Sequence, residues 1–269
     1  MTRRKAEPPR GVLKTNVVEP RGLRHVRFHP SSDLEPWVEH FWVVEWDFRD
    51  AGPQRVETLP HPSVQMIFED GMSRISGIAR ARFTRMLAGR GGVFAVKFRP
   101  GGFYPFAGFP ISSLSDRTVE LADVFGTDGE KLDRAVLAED SDDGRVAVLE
   151  TFLRNRRPAP DANVTRLSEM VYAVARERGI LKVEDLVLRY GVNKRTLQRL
   201  FGKYVGVSPK WVIQRYRLHE AAERLAADRE VGQAALALSL GYTDQAHFVR
   251  DFKATVGTSP AAYARALWS

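Results

Sequence analysis

Most of residues 186–209 occurs twice in this chain, and that duplication constrains the fold more than any other feature. The first copy reads Leu197-Gln198-Arg199-Leu200-Phe201, then Val205-Gly206-Val207-Ser208-Pro209. The second reads Phe248-Val249-Arg250-Asp251-Phe252, then Val256-Gly257-Thr258-Ser259-Pro260. Matching positions stand 51 residues apart throughout. A fixed period over so many positions means one supersecondary unit built twice.

Punctuation identifies the unit. An apolar helical run precedes each copy, over 183–190 and 231–240, and each run ends at a glycine, Gly191 and Gly241. Glycine suits the left-handed position that closes a helix. Two residues on stands a polar residue able to cap a new helix, Asn193 in the first copy and Thr243 in the second. The glycines are 50 apart rather than 51, so the second copy gains one residue before its Phe248 region. Helix, short glycine turn and helix make a helix-turn-helix.

Charge points to the partner of that unit. The formal net charge is +8, spread as +6 over residues 1–30, −4 over 31–160 and +6 over 161–269. Between Gly191 and Arg217 stand Lys194, Arg195, Arg199, Lys203, Lys210, Arg215 and Arg217, with no acid among them. A basic segment inside a repeated helix-turn-helix is suited to a polyanion. Cysteine is absent, which excludes disulfides, thiolate zinc and thiol catalysis. No apolar run is long enough to span a membrane, and the basic start has no apolar run behind it, so a cytoplasmic protein without a membrane partner is expected.

Taken in order, residues 1–22 read as a disordered basic tail. Residues 23–157 read as a β-rich sensing or dimerisation domain with C-terminal helices. Its expected strands cover 23–28, 41–48, 55–59, 64–69, 73–78, 83–88 and 93–99, with a short helix at 33–40 capped by Asp33. Turns are expected at Asp50-Ala51-Gly52-Pro53, Asp70-Gly71 and Gly89-Arg90-Gly91-Gly92. Short strands at this spacing suggest an antiparallel sandwich or barrel. Helical patterns follow over 118–125, 129–137 and 143–156. Residues 158–163 read as a proline-rich linker, and 164–269 as an all-α DNA-binding domain. The fold class is therefore α+β.

The second helix of a helix-turn-helix enters the major groove. In the first copy Leu197, Leu200 and Phe201 fall at core spacing, leaving Lys194, Arg195, Gln198, Arg199 and Lys203 outward. Arginine pairs bidentately with guanine and glutamine with adenine, so Arg195, Gln198 and Arg199 are candidate base readers. Lys194 and Lys203 suit phosphate. The second copy presents Asp244, Gln245, His247 and Arg250; Asp244 would repel phosphate unless it caps the helix or accepts from cytosine. Ser208-Pro209 begins a long connecting helix reaching about Ala227, roughly 30 Å at 1.5 Å per residue. Successive major grooves on one face of the duplex lie about 34 Å apart. One chain can thus span two grooves, with the duplex bending to accept both helices if the connector is rigid.

These residues resemble the DNA-binding domain of AraC/XylS-type bacterial transcription regulators over 164–267. The resemblance rests on Gly191, Leu197-Gln198-Arg199-Leu200-Phe201, Gly206-Val207-Ser208-Pro209 and Arg217-Leu218 with Ala221. It continues through Ala237, Gly241-Tyr242-Thr243-Asp244-Gln245, His247-Phe248, Arg250-Asp251-Phe252-Lys253, Gly257-Thr258-Ser259-Pro260 and Tyr263. It implies seven helices, two helix-turn-helix units and a connecting helix, attached to a sensing or dimerisation domain. By the family pattern Arg195, Gln198 and Arg199 fall on the first reading helix, and Gln245, His247 and Arg250 on the second. Ala234-Ala235-Leu236 and Tyr263-Ala264-Arg265 depart from the pattern, away from the reading faces. The N-terminal part resembles a β-rich domain of unknown function that precedes this DNA-binding domain in some regulators. Its carriers are Leu59-Pro60, the run 64–68, Val96-Lys97-Phe98-Arg99-Pro100-Gly101-Gly102, Leu114-Ser115-Asp116-Arg117 and Val119-Glu120-Leu121.

Other chemistry finds little support. His25, His29, His40 and His61 lack metal-ligand spacing, so neither metal nor cofactor is expected. The glycine-rich turns lack the endings of a phosphate loop or nucleophile elbow, so no enzyme is expected. Glu57, His61 and Arg99 are candidate effector contacts; Arg99 would bind an anion or pair with a carboxylate such as Glu57. Partners considered are duplex DNA, RNA polymerase, a small-molecule effector and a second copy of the chain. The alternative for the N-terminal domain is a protein-interaction module without a ligand.

Overall fold

Period-two alternation of apolar and polar residues builds the first third of the molecule. The computed structural model describes residues 22–268; the basic leader expected at 1–22 lies outside them except for Gly22. The described residues form eight strands: β1 (Leu23–Phe28), β2 (Val38–Asp47), β3 (Gln54–Thr58), β4 (Gln65–Phe68), β5 (Arg74–Ser76), β6 (Phe83–Leu87), β7 (Arg90–Phe98) and β8 (Thr118–Val119). Six make an antiparallel sheet in the order β1-β2-β7-β4-β5-β8, while β3 and β6 pair as a separate ribbon.

The central strand β7 shows how the sheet is covered. Phe94, Val96 and Phe98 point to one face and join Phe41, Val43, Met66 and Phe68 in the larger apolar cluster. Val93 and Ala95 point to the other and join Trp46, Ile67 and the ribbon's Leu87. Burying such a side chain fully contributes about 1.5–3 kcal/mol, so alternation fixes which face meets which cover. The expected sandwich or barrel thus becomes a sheet with a ribbon on one face and helices on the other. Two five-residue strands are too few to form a second full layer. Past the ribbon, the ribbon-side face turns polar: Lys97 continues the row of Val93 and Ala95, and its register partners are His40 and Gln65.

Three local expectations change. The helix expected at 33–40 is a single turn, in which the Leu34 carbonyl accepts from Trp37 and Val38 nitrogens. The β-branched and aromatic run after it is instead held on both sides by β1 and β7. The turn expected at 89–92 shrinks, because Arg90, Gly91 and Gly92 belong to β7. Gly91 lies under the Trp46 indole, where a Cβ would come within 2.4 Å of Cζ2. Thr118 and Val119 form the edge strand β8, and the helix begins only at Leu121.

Helices complete the chain: α1 (Tyr104–Ala107), a 3₁₀ turn (Ile111–Leu114), α2 (Leu121–Phe125), α3 (Thr127–Leu137) and α4 (Asp142–Asn155). After α4, residues 157–161 carry neither helix nor strand. Seven further helices follow: α5 (Ala162–Arg176), α6 (Val183–Tyr190), α7 (Lys194–Leu200), α8 (Pro209–Ala227), α9 (Gln233–Ser239), α10 (Gln245–Val256) and α11 (Pro260–Trp268). A π-helical turn (Phe201–Val205) extends α7. Leu132 and Val136 of α3 with Val146, Leu149 and Leu153 of α4 cover the helix-side face of the sheet. The same cluster runs on through Leu167, Leu197, Phe201 and Ile213 into the first helix-turn-helix. The second helix-turn-helix has its own cluster around Phe248, Phe252 and Leu225, entered by Leu59 from the β-rich part.

Candidate nucleic-acid interface

The second helix of each helix-turn-helix is positioned by a glycine, a cap and two buried anchors. Gly191 closes α6 with φ 60° and ψ 36°, a left-handed conformation costly to residues with a Cβ. Asn193 then accepts from the Thr196 nitrogen at 2.8 Å and starts α7. In the second unit the cap is Asp244, which accepts from the His247 nitrogen at 2.7 Å; the expected cap Thr243 stands one residue too early. The extra residue therefore falls between Gly241 and the cap, and the caps themselves are 51 apart. With its π-helical extension α7 covers 194–205, and α10 covers 245–256. The two segments match position for position, and Arg199 corresponds to Arg250.

Leu197 and Phe201 are fully buried, as are Phe248 and Phe252. Those anchors leave Lys194, Arg195, Gln198 and Arg199 exposed on α7. Lys194 Nζ lies 2.8 Å from Glu184 Oε1 of α6, an exposed pair of little strength. Lys203 is placed differently from the other four. It is half-buried, with Nζ 5.0 Å above the Tyr104 ring and 5.5 Å above Tyr204, where the wider π turn faces α1. On α10, Gln245 and Arg250 are exposed. His247 is half-buried, edge-on to Tyr242, with Nε2 3.5 Å from Asp251. Asp244 serves as the cap, and the His247 backbone hydrogen bond holds its carboxyl below the usual range. The second face is less basic than the first.

Sequence reasoning missed how firmly the connecting helix is seated. Ser208 caps α8 by accepting from the Trp211 nitrogen at 3.2 Å, and the helix has 19 residues. Arg215 and His219, at 3% and 5% exposure, are buried against the β-rich part. The Arg215 guanidinium donates to the Arg80 carbonyl and lies 4.6 Å from the Trp211 ring; burial pushes its pKa down to about 10. The C-terminal end of the second helix in each unit is tied down as well. Ser115 Oγ donates to the Gly206 carbonyl at 2.6 Å, and Arg82 donates to the Val256 carbonyl at 2.8 Å. A strictly apolar count of helix positions gives no warning of these polar links.

The three effector candidates separate. Glu57 is buried on the ribbon, 2.6 Å from Arg55 and 3.0 Å from Arg82, and does not line a cavity with the other two. Arg99 is not its partner: Arg99 Nε donates to the Glu35 carbonyl and its guanidinium sits 5.7 Å from the Tyr172 ring. His61 stacks obliquely on His219, ring centroids 4.7 Å apart. His61 and Arg99 both line a cavity of about 880 Å³ between the sheet and helices α5 and α8. Among the described residues, no group of three His, Asp or Glu is placed to hold a metal ion, and no helix is long and apolar enough to cross a membrane.

Comparison with known proteins finds two matching families. Residues 26–120 match a domain of unknown function (DUF6597), and residues 186–266 match a helix-turn-helix domain. The chain is 33% identical over 88 residues to the probable transcription factor PqrA of Proteus vulgaris, covering 33% of this chain and 70% of that protein. It is 35% identical over 83 residues to the transcriptional activator AarP of Providencia stuartii, covering 31% of this chain and 61% of that protein. Among solved structures, ToxT of Vibrio cholerae aligns over 92% of this chain and 99% of its own at 10% identity, with a TM-score of 0.37. That structural likeness is too distant to bear on function.

Proposed function

This chain belongs to the AraC family of bacterial transcription regulators, and from that premise we propose that it recognises a specific duplex through two reading helices set in successive major grooves. The observation that carries the reading is the position-for-position match of 194–205 with 245–256, each capped and each exposing polar side chains. Arg195, Gln198 and Arg199 read bases from the first helix; Gln245, His247 and Arg250 do so from the second. Lys194 holds a phosphate. At about 1.5 Å per residue, α8 is roughly 28 Å long, shorter than the approximately 34 Å between grooves. The duplex therefore curves toward the protein, and its deformability contributes to selection.

The β-rich part acts as the regulatory half, under the control of a small-molecule effector, and the protein works in the cytoplasm. Selection of binding sites from a random duplex pool, followed by footprinting at physiological salt, tests the reading. Two protected segments one helical turn apart are expected. Protection with no preference over random duplex would overturn it.

A further inference from the structure

The cavity between the sheet and the helical part is built around nitrogens that lack a partner among the described residues. Strand alternation lays Arg27, on β1, and Lys97, on β7, along its floor, with Arg99 just beyond. Arg217 and His219, both on α8, form its opposite wall. Several charges are already answered. Lys97 Nζ lies 2.9 Å from Glu39 Oε1, Tyr172 donates to the other Glu39 oxygen at 3.0 Å, and Arg178 lies 3.1 Å from Glu220. Arg27 and Arg217 differ, since the Nε of each is buried without a hydrogen-bond partner.

His219 adds a third unmet group of opposite character. Its ring is hydrogen-bonded to the Pro60 backbone, while Nε2 is buried without a partner. A ring donating through Nδ1 to a carbonyl has Nε2 as its acceptor. An unmet buried polar atom is destabilising, and more so where charge is involved. Glu39 lies within electrostatic reach of Arg27 and Asp185 of Arg217, yet neither carboxylate meets the buried Nε; an anion in the cavity adds negative charge beside two half-buried guanidinium groups.

We propose that this cavity binds a small organic anion that also carries a hydroxyl or N–H donor. Its carboxylate or phosphate groups face Arg27 and Arg217, and its donor meets His219 Nε2. The volume of about 880 Å³ accommodates such a compound, since ligand pockets span about 300–1,000 Å³. Arg217 also connects the site to DNA reading. One of its terminal nitrogens lies 3.2 Å from where a Gly241 Cβ would stand, and its guanidinium faces the Tyr242 ring at 6.0 Å. Occupancy therefore bears on the turn that aims α10. The consequence for DNA rests on the regulator reading above; the binding itself does not.

The test uses the full chain without DNA, in calorimetry and thermal denaturation, at ionic strength held constant with sodium chloride. The probes are citrate, L-malate, succinate, glycerol 3-phosphate and inorganic phosphate. Saturable one-to-one binding by a hydroxy acid or by glycerol 3-phosphate is expected, with a melting temperature that rises with concentration. Malate should bind about tenfold more tightly than succinate, which lacks the donor. Arg27→Gln and Arg217→Gln should each weaken binding by about ten- to a hundredfold, and Arg27→Lys by less. Arg195→Ala, on the reading helix, should bind the anion as the unaltered chain does. Two substitutions on different elements keep the test decisive if one fails to fold. Failure of all five probes, or unchanged binding in both glutamine variants, overturns the proposal. Specific DNA binding measured in parallel separates that failure from a failure of the regulator reading.

Discussion

The Arg82 guanidinium reaches across from the β-rich part to the Val256 carbonyl, 2.8 Å away, at the last residue of α10. It is held from behind by buried Glu57, whose Oε1 lies 3.0 Å from it. A cation at a helix C-terminus satisfies a carbonyl the helix cannot, and it complements the helix dipole. Arg82→Ala should lower stability by about 1–3 kcal/mol, the range for a partly buried charged hydrogen bond. Amide exchange at the end of α10 should quicken in that variant. Unchanged exchange there would show that the link does not restrain the helix.

Substitutions on the reading helices should separate by chemistry. Arg199→Ala and Arg250→Ala should each cost about 1–3 kcal/mol at one base pair and relax selectivity at that position alone. Lys194→Ala should weaken all sequences alike and reduce the salt slope by about one. Lys203→Ala should leave DNA affinity close to that of the unaltered chain and lower stability by about 0.5–1 kcal/mol, because its ammonium is occupied by Tyr104 and Tyr204. Competition binding on single-base operator variants measures all four. A sequence-independent loss for Arg199→Ala would make it a phosphate contact.

The two caps should behave alike. Asn193→Ala and Asp244→Ala each remove an acceptor from a helix-starting nitrogen and should each cost about 1 kcal/mol. Urea denaturation should show a lower midpoint with an unchanged slope. Asp244→Asn should retain most of the stability, since asparagine caps as well as aspartate. A neutral result for Asp244→Ala would return that residue to the list of base readers.

Acid should loosen the junction between the two parts. His40 and His219 are buried, and burial pushes the His40 pKa down to about 3 and that of His219 well below its ordinary value. Around His40 lie Glu39, which favours its charged form, and Lys97, Arg27 and His25, which oppose it. Both groups bind a proton more readily unfolded, so their contribution is complete above about pH 6.5 and is lost as pH falls toward the folded values. Stability should drop by about 1.4 kcal/mol per pH unit for each histidine that stays neutral in the folded state. His40→Gln should flatten that slope between about pH 6 and 4 in chemical denaturation. An unchanged slope would place the acid sensitivity elsewhere.

Much of the helical half can be read from residue order because its signals are local. Val183–Tyr190 is found at the expected bounds, as is the Ser208 cap of α8, since glycine, proline and capping residues act within a few positions. Thr243 does not cap α10 because turn length, rather than residue type, decides which of two adjacent acceptors meets the helix nitrogen. The β-rich half is legible strand by strand but not in its layering. Strand pairing and the Gly91–Trp46 contact join residues far apart in the chain. Arg215 and Arg217 belong by sequence to a basic run suited to DNA, yet the first is buried and the second half-buried beside the cavity. A cation on a helix carries no sign of whether a nucleic acid or a neighbouring sheet will cover it.

Arg199 and Arg250 occupy the same place in two units that follow one another along a single chain. Such a molecule has no internal two-fold axis, unlike a symmetric pair of protomers, which demands a palindrome. A single bound copy therefore has a front and a back. Turning its site end for end would present the β-rich half to the opposite side, so the orientation of the site carries information that its sequence composition alone does not.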